Sequence, residues 1–280
     1  MELMILFILA FALIVIATYQ DLRTTEISDW LTFSLIGFGL SYRAVYAFFT
    51  SSGEFFWFGL AGFALFSALG YLFYYAHVFA GGDVKLLMGL GAVIPALSYS
   101  ELLFYGILMI VCIFLLGAIW SVVFTFIRIA RKPGNFGSYF LKEMKKSKNI
   151  LLLFAITGLL FFMGLGYFEF IVGLIFGVLI IISGILFVYV RAFEKHYLIV
   201  NKKPSELIEG DWLVGDIIVS GRTIKKSVHG LTEKEIAFLR KHNKGVIVKD
   251  GVPFTPGFLF GFLLFMLIYF EYISLAILGF

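Results

Sequence analysis

The sequence predicts an all-α membrane protein: a polytopic helical bundle of about eight hydrophobic segments with a small cytoplasmic α+β insert. The composition is the first reason, since 61% of the residues are hydrophobic and only 14% are charged, unlike a soluble domain. The arrangement is the second, because the apolar residues form long runs. About 20 apolar residues cross the hydrocarbon as a helix, where no water can bind exposed backbone groups.

The candidate membrane helices follow one another closely along the chain. The first does not resemble a cleavable signal, because Met1 and Glu2 supply no positive region and the apolar run is too long. It is therefore expected to be retained. The fourth and sixth segments are short, so tilt or burial by protein is expected there. The segments cover approximately 2–20, 30–49, 55–76, 84–98, 102–127, 150–166, 170–190 and 257–279.

The distribution of charge predicts the orientation, because positive residues beside membrane helices stay on the cytoplasmic side. Two expected loops, the stretches 128–148 and 191–249, are both rich in Lys and Arg. Threading the segments with both stretches inside also brings residues 21–29 and 77–83 to the cytoplasmic face. The sequence thus predicts a multi-pass protein of the cell membrane. Anionic lipid headgroups account for the basic stretches, so lipids are predicted partners and nucleic acid is not.

Three regions are expected: a helical body over 1–190, a cytoplasmic insert over 191–254 and a final membrane helix over 255–280. In the insert, alternating apolar residues predict short strands near 197–199, 212–214, 217–219 and 245–248. Thr232 and Glu235 form a capping-box pattern that predicts a helix. Turns are expected at 209–211 and at Ser220-Gly221.

Two carboxylates are the candidates for chemistry. Asp21 ends the first segment, and Asp83 lies just before the fourth, in Ala80-Gly81-Gly82-Asp83-Val84-Lys85. A carboxylate at membrane depth costs roughly 2.5–3.5 kcal/mol, so each is a candidate functional residue. For Asp21, a simple helix end at the interface is an equally good interpretation. Gly81 and Gly82 favour function at Asp83, because glycines let a substrate backbone approach closely.

Two aspartates around one water can hydrolyse a peptide bond. Like charges so close cannot both ionise, so one carboxyl keeps its proton. The ionised member takes a proton from water while the other polarises the scissile carbonyl. Which of the two carries the proton stays open, since the titration belongs to the pair.

Three elements in order resemble the prepilin and preflagellin peptidase family, the GxGD-type membrane aspartyl peptidases. They are Asp21 after the first segment, the Gly81–Lys85 motif, and Val252-Pro253-Phe254-Thr255-Pro256 before the last segment. The insert, with Glu209-Gly210-Asp211 and His229-Gly230-Leu231-Thr232, is similar to the archaeal branch. The sequence departs from the family at Ala80, which occupies the first glycine position of GxGD.

The resemblance implies a membrane aspartyl endopeptidase with Asp21 and Asp83 as catalytic residues. It implies that short basic leader peptides are cut from type IV pilin-like or archaeal flagellin-like precursors at the cytoplasmic face. The partners would be precursors with class III, pilin-like signal peptides. Gly81, Gly82 and Lys85 are candidates for substrate binding or for shaping the loop, although Lys85 could equally extend to headgroups.

No cofactor and no metal are predicted. Bacterial members of the family often carry paired CxxC motifs, whereas Cys112 is the single cysteine of this sequence. His77, His196, His229 and His242 have no ligand spacing. Methyltransferase activity is therefore not expected.

Two other functions were considered. A presenilin-like or signal-peptide-peptidase-like intramembrane protease carries its first aspartate in a Tyr-Asp pair deep in a helix, whereas Gln20 separates Tyr19 from Asp21. An acid-pair transporter without protease activity should show acids near mid-membrane, and segments five to seven have none. Asp29 is the rival of Asp21 as the catalytic carboxylate, although a helix N-cap is the more common role at such a position. Arg43 is expected to extend outward from the membrane segment.

Overall fold

The computed structural model describes residues 2–51, 53–76, 78–131, 134–167, 169–227 and 230–271. It confirms the predicted polytopic helical bundle with a small α+β insert. Five of its helices are long and apolar enough to cross a membrane, or six if one bent pair forms a single span. The helices are α1 Glu2–Thr24, α2 Asp29–Thr50, α3 Gly53–Tyr75, α4 Gly81–Val93, α5 Tyr99–Arg131, α6 Phe136–Lys146, α7 Lys148–Gly166, α8 Phe170–Phe193, α9 Glu233–Lys241 and α10 Thr255–Tyr269.

The chain divides into two compact units. The first comprises Met1–Phe124 and Val252–Phe280, and the second comprises Thr125–Gly251. The first unit therefore joins the beginning of the chain to its last helix. The domain boundaries expected at 190 and 254 stay predictions. Residues 272–280, which include the end of the last expected membrane segment, lie outside the described part of the chain.

In the first unit, α4 is the unusual helix. Its 13 residues extend about 20 Å, less than the roughly 30 Å of a hydrocarbon core. The neighbouring helices α3 and α5 run in the same direction, because Phe58 packs on Tyr99 and Phe73 on Phe114. The chain between them must therefore return across the same distance. The buried connection over 94–96 and its continuation to α5 complete the crossing that α4 begins.

Helices α1 and α10 pack through aromatic side chains. The ring of Phe7, which is fully buried, meets the rings of Phe262, Phe265 and Tyr269 edge-on at centroid distances of 5.8, 6.2 and 5.4 Å. Edge-to-face pairs add about 0.5–1.5 kcal/mol each beyond the burial of their area. These contacts bring the last helix of the unit against the first.

In the second unit, the structure corrects one expectation, since part of the basic stretch 128–148 forms a helix, α6. The side chain of Asn135 caps it by accepting a hydrogen bond from the Ser138 N–H at 3.2 Å. Phe136 and Phe140 stack one turn apart on its apolar face. The sequence analysis did not predict this amphipathic helix, because the lysines on its opposite face dominate the composition of the stretch. Helices α6 and α7 are bent by 73° at their junction.

The insert contains two small sheets. Strands β1 Ile199–Lys202, β2 Trp212–Leu213 and β5 Val246–Lys249 form an antiparallel sheet in the order β1-β5-β2. Strands β3 Ile217–Val219 and β4 Arg222–Ile224 form a hairpin.

Two local predictions in the insert are confirmed. The hairpin turns at Ser220 and Gly221, whose φ values of 48° and 80° are both positive, as a type I′ turn requires. At the start of α9, the Glu235 carboxylate accepts hydrogen bonds from the Thr232 N–H and hydroxyl at 2.9 and 2.8 Å. The strand β4 was not predicted, because its sequence Arg-Thr-Ile carries little apolar alternation.

The insert contains a largely buried ion cluster. The ammonium of Lys202 lies 2.8 Å from the Asp211 carboxylate and 3.2 Å from that of Asp250. Burial lowers the pKa of Lys202, but the hydrogen bond to Asp211 and the two negative charges outweigh it, so the pKa lies above its ordinary value. Lys202 is therefore the cation that compensates the buried charge of Asp211, whereas Asp250 also pairs with Arg128 at 3.0 Å.

Replacing Lys202 by Met should lower the free energy of unfolding of the insert by about 1–3 kcal/mol, because the buried Asp211 loses its cation. The raised pKa gives the sign of the pH dependence: the contribution of Lys202 is complete below the unfolded value and disappears as the pH rises through the folded one. Hydrogen exchange of the β1 and β5 amides at pH 7 measures the effect. Lys234→Met, on the exposed side of α9, is the control and should leave the exchange unchanged.

Candidate active site

Asp21 lies inside α1 rather than after it. The helix continues to Thr24, one turn beyond the predicted end, so the carboxylate is only 6% exposed. Its Oδ2 accepts two hydrogen bonds from Thr255, from the N–H at 3.2 Å and from the hydroxyl at 2.6 Å. Asp21 is thus a buried residue in the last turn of α1, and its catalytic role stays a prediction.

Thr255 is the residue of this site that sequence reasoning missed. It is the first residue of α10 and is fully buried. The first N–H groups of a helix have no partner within the helix, and Asp21 accepts one of them. A carboxylate at a helix N-terminus is also favoured by the helix dipole. The available signal was a hydroxyl residue between Pro253 and Pro256 at the start of an apolar segment.

Asp83 is the third residue of α4 and is 8% exposed. Its Oδ2 accepts a hydrogen bond from the Ala80 N–H at 3.2 Å. The motif was predicted to be a loop before the helix, and this is corrected: Gly81 and Gly82 form the first turn. Any residue can adopt the backbone conformation of a first helical turn. Gly81 and Gly82 therefore matter because they lack a Cβ atom and leave space around them.

The two glycines differ in their surroundings. A Cβ atom on Gly82 would lie 3.1 Å from the Cβ of Ile27, so this glycine lets α4 approach the loop between α1 and α2. A Cβ atom on Gly81 would meet nothing within 4 Å. Gly82 therefore serves packing, whereas Gly81 borders open space next to Asp83.

Asp21 and Asp83 are brought together at one face of the first unit. Their hydrogen-bond donors, Thr255 and Ala80, each follow a phenylalanine, and the ring centroids of those two residues, Phe254 and Phe79, lie 5.3 Å apart. Among the hydrogen bonds of the described residues, none joins the two groups, and each is held by the N–H of a helix start. The salt bridges of the described residues also leave both without a Lys or Arg partner.

An aromatic cluster borders the pair. Phe79, which precedes the Ala80 donor, stacks on Phe114 and contacts Phe254 and Phe258, with ring centroids 5.3–5.6 Å apart. Phe254 in turn precedes Thr255. Apolar walls of this kind exclude water and strengthen electrostatic interactions between the groups that they enclose.

Lys85 is directed away from Asp83. Its ammonium pairs with the Asp29 carboxylate and lies 5.6 Å from the centre of the Phe33 ring on α2. Asp29 is not the N-cap, which is Ser28, but the first residue of α2, and its side chain is 62% exposed. A role of Lys85 in substrate binding stays a prediction.

No three His, Cys, Asp or Glu side chains converge as metal ligands would within the residues that the structure describes. His77 and His229 lie outside them. The expected absence of a metal and of a cofactor stays a prediction.

Parts of the chain are similar to known leader peptidases. Residues 7–127 match the model of the type IV leader peptidase family, which confirms the predicted resemblance over that part of the chain. A stretch of 92 residues is 37% identical to a preflagellin peptidase of Methanocaldococcus jannaschii and covers 33% of this chain and 39% of that relative. A stretch of 83 residues is 35% identical to a preflagellin peptidase of Methanococcus maripaludis and covers 29% of this chain and 35% of the relative. The chain thus spans well under half the length of these relatives.

The bond between Thr255 and Asp21 can be measured without reference to activity. Thr255→Val removes the hydroxyl donor at nearly constant volume and should lower the free energy of unfolding. This decrease should vanish when Asp21 is already replaced by Ala. A double-mutant cycle in detergent should therefore give a coupling energy of about 1 kcal/mol or more. Thr32→Val supplies the control, because the buried Thr32 hydroxyl bonds to Asp29 O instead. Equal coupling in both cycles would show that the bond contributes nothing specific.

Proposed function

We propose that this chain is a membrane aspartyl endopeptidase that removes short basic leader peptides from archaeal flagellin-like or type IV pilin-like precursors. The observation that carries the proposal is the pair of buried carboxylates, Asp21 and Asp83, on two different helices beside the same aromatic cluster. The family match over residues 7–127 and the similarity to two preflagellin peptidases support a leader peptidase.

The hydrogen bonds favour a division of roles within the pair. Asp21 accepts two bonds from Thr255 at the start of α10, whereas Asp83 accepts one from Ala80. Donors directed at a carboxylate stabilise its charged form. We assign Asp21 as the ionised general base and Asp83 as the carboxyl group that holds the proton.

Peptide hydrolysis follows from these roles. Asp21 removes a proton from water as the water oxygen bonds to the scissile carbonyl carbon, and Asp83 gives its proton to the carbonyl oxygen. The tetrahedral diol then collapses: Asp83 takes back a proton from one hydroxyl, Asp21 donates its proton to the leaving nitrogen, and the C–N bond breaks. The products are a leader peptide with a free carboxyl group and a mature chain with a free amine.

The proposed substrate fits a site at a membrane face. A precursor with a class III signal peptide has a basic leader followed by a hydrophobic helix. That helix stays in the bilayer while the leader remains in water, and the bond between them lies at the interface. Lipids are proposed surroundings of the protein, whereas no metal, cofactor or nucleic acid is invoked.

The position of the acids argues against the two alternatives. Both carboxylates lie within one turn of a helix end, whereas a presenilin-like protease or a proton-coupled transporter would carry acids deeper in the membrane. Loss of cleavage in the variants below separates a peptidase from a transporter.

Asp21→Asn and Asp83→Asn should each reduce cleavage of a preflagellin or prepilin substrate by at least about 10³-fold, because removal of one member of a catalytic unit disables the whole. Asp29→Asn is the matched control, since it removes an exposed carboxylate from the same region and should retain most of the activity. Cleavage is followed by the mobility shift of purified precursor in detergent micelles. If cleavage survives Asp21→Asn and is lost in Asp29→Asn, the catalytic carboxylate is Asp29 and not Asp21.

The cytoplasmic location of the site gives a separate prediction. A cysteine at the exposed Lys145, in a Cys112→Ala background, should react with a membrane-impermeant maleimide only after cells are opened. A cysteine at the exposed Thr50 should react in intact cells. The reverse pattern would place Asp21 and Asp83 outside and exclude cleavage of cytoplasmic leaders.

A further inference from the structure

Arg43 is not the outward-extending side chain that was predicted from its place in α2. The residue is fully buried, and its guanidinium donates to three backbone carbonyls. Nε bonds to Ala92 O at 2.8 Å, Nη1 bonds to Phe55 O at 2.7 Å, and Nη2 bonds to Ile94 O. The guanidinium also lies 4.3 Å from the centre of the Phe55 ring.

Two of these acceptors belong to the carboxyl end of α4. The last carbonyls of a helix have no partner within the helix, and α4 ends among buried residues from Gly89 to Ile94. An unsatisfied carbonyl in such surroundings costs several kcal/mol. Ile94 O also accepts a hydrogen bond from the Ala96 N–H at 2.9 Å, so Ala92 O depends on Arg43 more than Ile94 O does. The planar fork of an arginine provides several donors in fixed directions, and a cation is favoured at the negative end of the helix dipole.

The surrounding glycines fit this arrangement. A Cβ atom on Gly59 of α3 would overlap the Cδ of Arg43, and Cβ atoms on Gly62 and Gly91 would overlap the facing backbones of α4 and α3. On the other side, a Cβ atom on Gly39 of α2 would lie 3.0 Å from that of Ala92. The carboxyl end of α4 thus fits closely between α2 and α3, and a shift of α4 along its axis would break the two hydrogen bonds from Arg43 to Ala92 O and Ile94 O, while the bond to Phe55 O ties the guanidinium to α3.

We propose that Arg43 is a positioning residue that fixes the depth and register of α4 and thereby sets the place of Asp83. Asp83 lies at the other end of the same helix, about 15 Å away along its axis. A helix is stiff over that length, so a displacement at the Arg43 end moves the carboxyl group at the other. The consequence for catalysis rests on the proposed function, whereas the consequence for geometry does not.

The geometry is tested by cross-linking. In a Cys112→Ala background, cysteines replace Asp21 and Asp83, and the rate of copper-phenanthroline disulfide formation reports how often the two positions meet. Arg43→Lys keeps the charge but not the fork, and it should slow cross-linking severalfold while the protein remains monodisperse and helical. Leu6→Ala, a cavity variant in the core of the same unit, serves as the control for general destabilisation and should leave the rate nearly unchanged.

The enzymatic arm uses Arg43→Lys with both aspartates intact. Its kcat on a precursor should fall by up to about 10²-fold, as expected for a misplacement near 1 Å, with little change in KM. Unchanged cross-linking in Arg43→Lys would overturn the proposal whatever the activity. Slower cross-linking in a protein whose parent cleaves no precursor would support the positioning role and overturn the proposed function.

A second variant covers the case in which Arg43→Lys does not fold. Gly59→Ala keeps Arg43 in the sequence, but the new Cβ atom would overlap the Arg43 Cδ and displace the guanidinium from its acceptors. It should slow cross-linking in the same direction, and a normal rate there would contradict the proposal. Gly37→Ala, in the helix that carries Arg43, is the control, because a Cβ atom at Gly37 would meet nothing within 4 Å.

Discussion

The absence of water in the hydrocarbon is the constraint on which the architecture of the first unit depends. A short helix can end at membrane depth only if other donors replace the water that its last carbonyls would bind. Arg43 supplies those donors to α4, and the glycines of α2 and α3 make room for the close approach. The burial of a charged side chain is offset by the hydrogen bonds that it makes, above all the one to Ala92 O, since Ile94 O also accepts from the Ala96 N–H.

The same constraint explains why three helix ends meet at the candidate site. Asp21 accepts the first N–H of α10, and Asp83 accepts the N–H that precedes α4. Each carboxyl group thus satisfies a backbone donor that a helix start leaves without a partner, and each helix start stabilises a negative charge. The structure that buries the acids is also the structure that makes their burial tolerable, with one more donor for Asp21 than for Asp83.

The sequence predicted the helices and the two carboxylates but not the contacts between them. Apolar runs are a strong signal, so the membrane segments were found with ends shifted by a few residues, as in α1 and α4. The amphipathic α6 was missed because its lysines dominate the composition. Thr255 bonds to a residue 234 positions away in the chain, and Arg43 bonds to residues about 50 positions away. No local sequence pattern carries that information. The domain boundaries and the site residues stay predictions.

The glycines before Asp83 do not provide a flexible loop through which the Asp21 and Asp83 carboxyl groups could approach each other. In a loop, Gly81 and Gly82 would give the backbone the freedom to bring Asp83 toward Asp21 when substrate binds. Because they lie in the first turn of α4, the freedom of a loop is not available at this position. Any change in the separation of the two carboxyl groups must then come from rotation of their side chains or from movement of α4 as a whole. Movement of α4 is opposed by the hydrogen bonds of Arg43 at its far end, so a substrate that closes the site has to act through the side chains or work against that anchor.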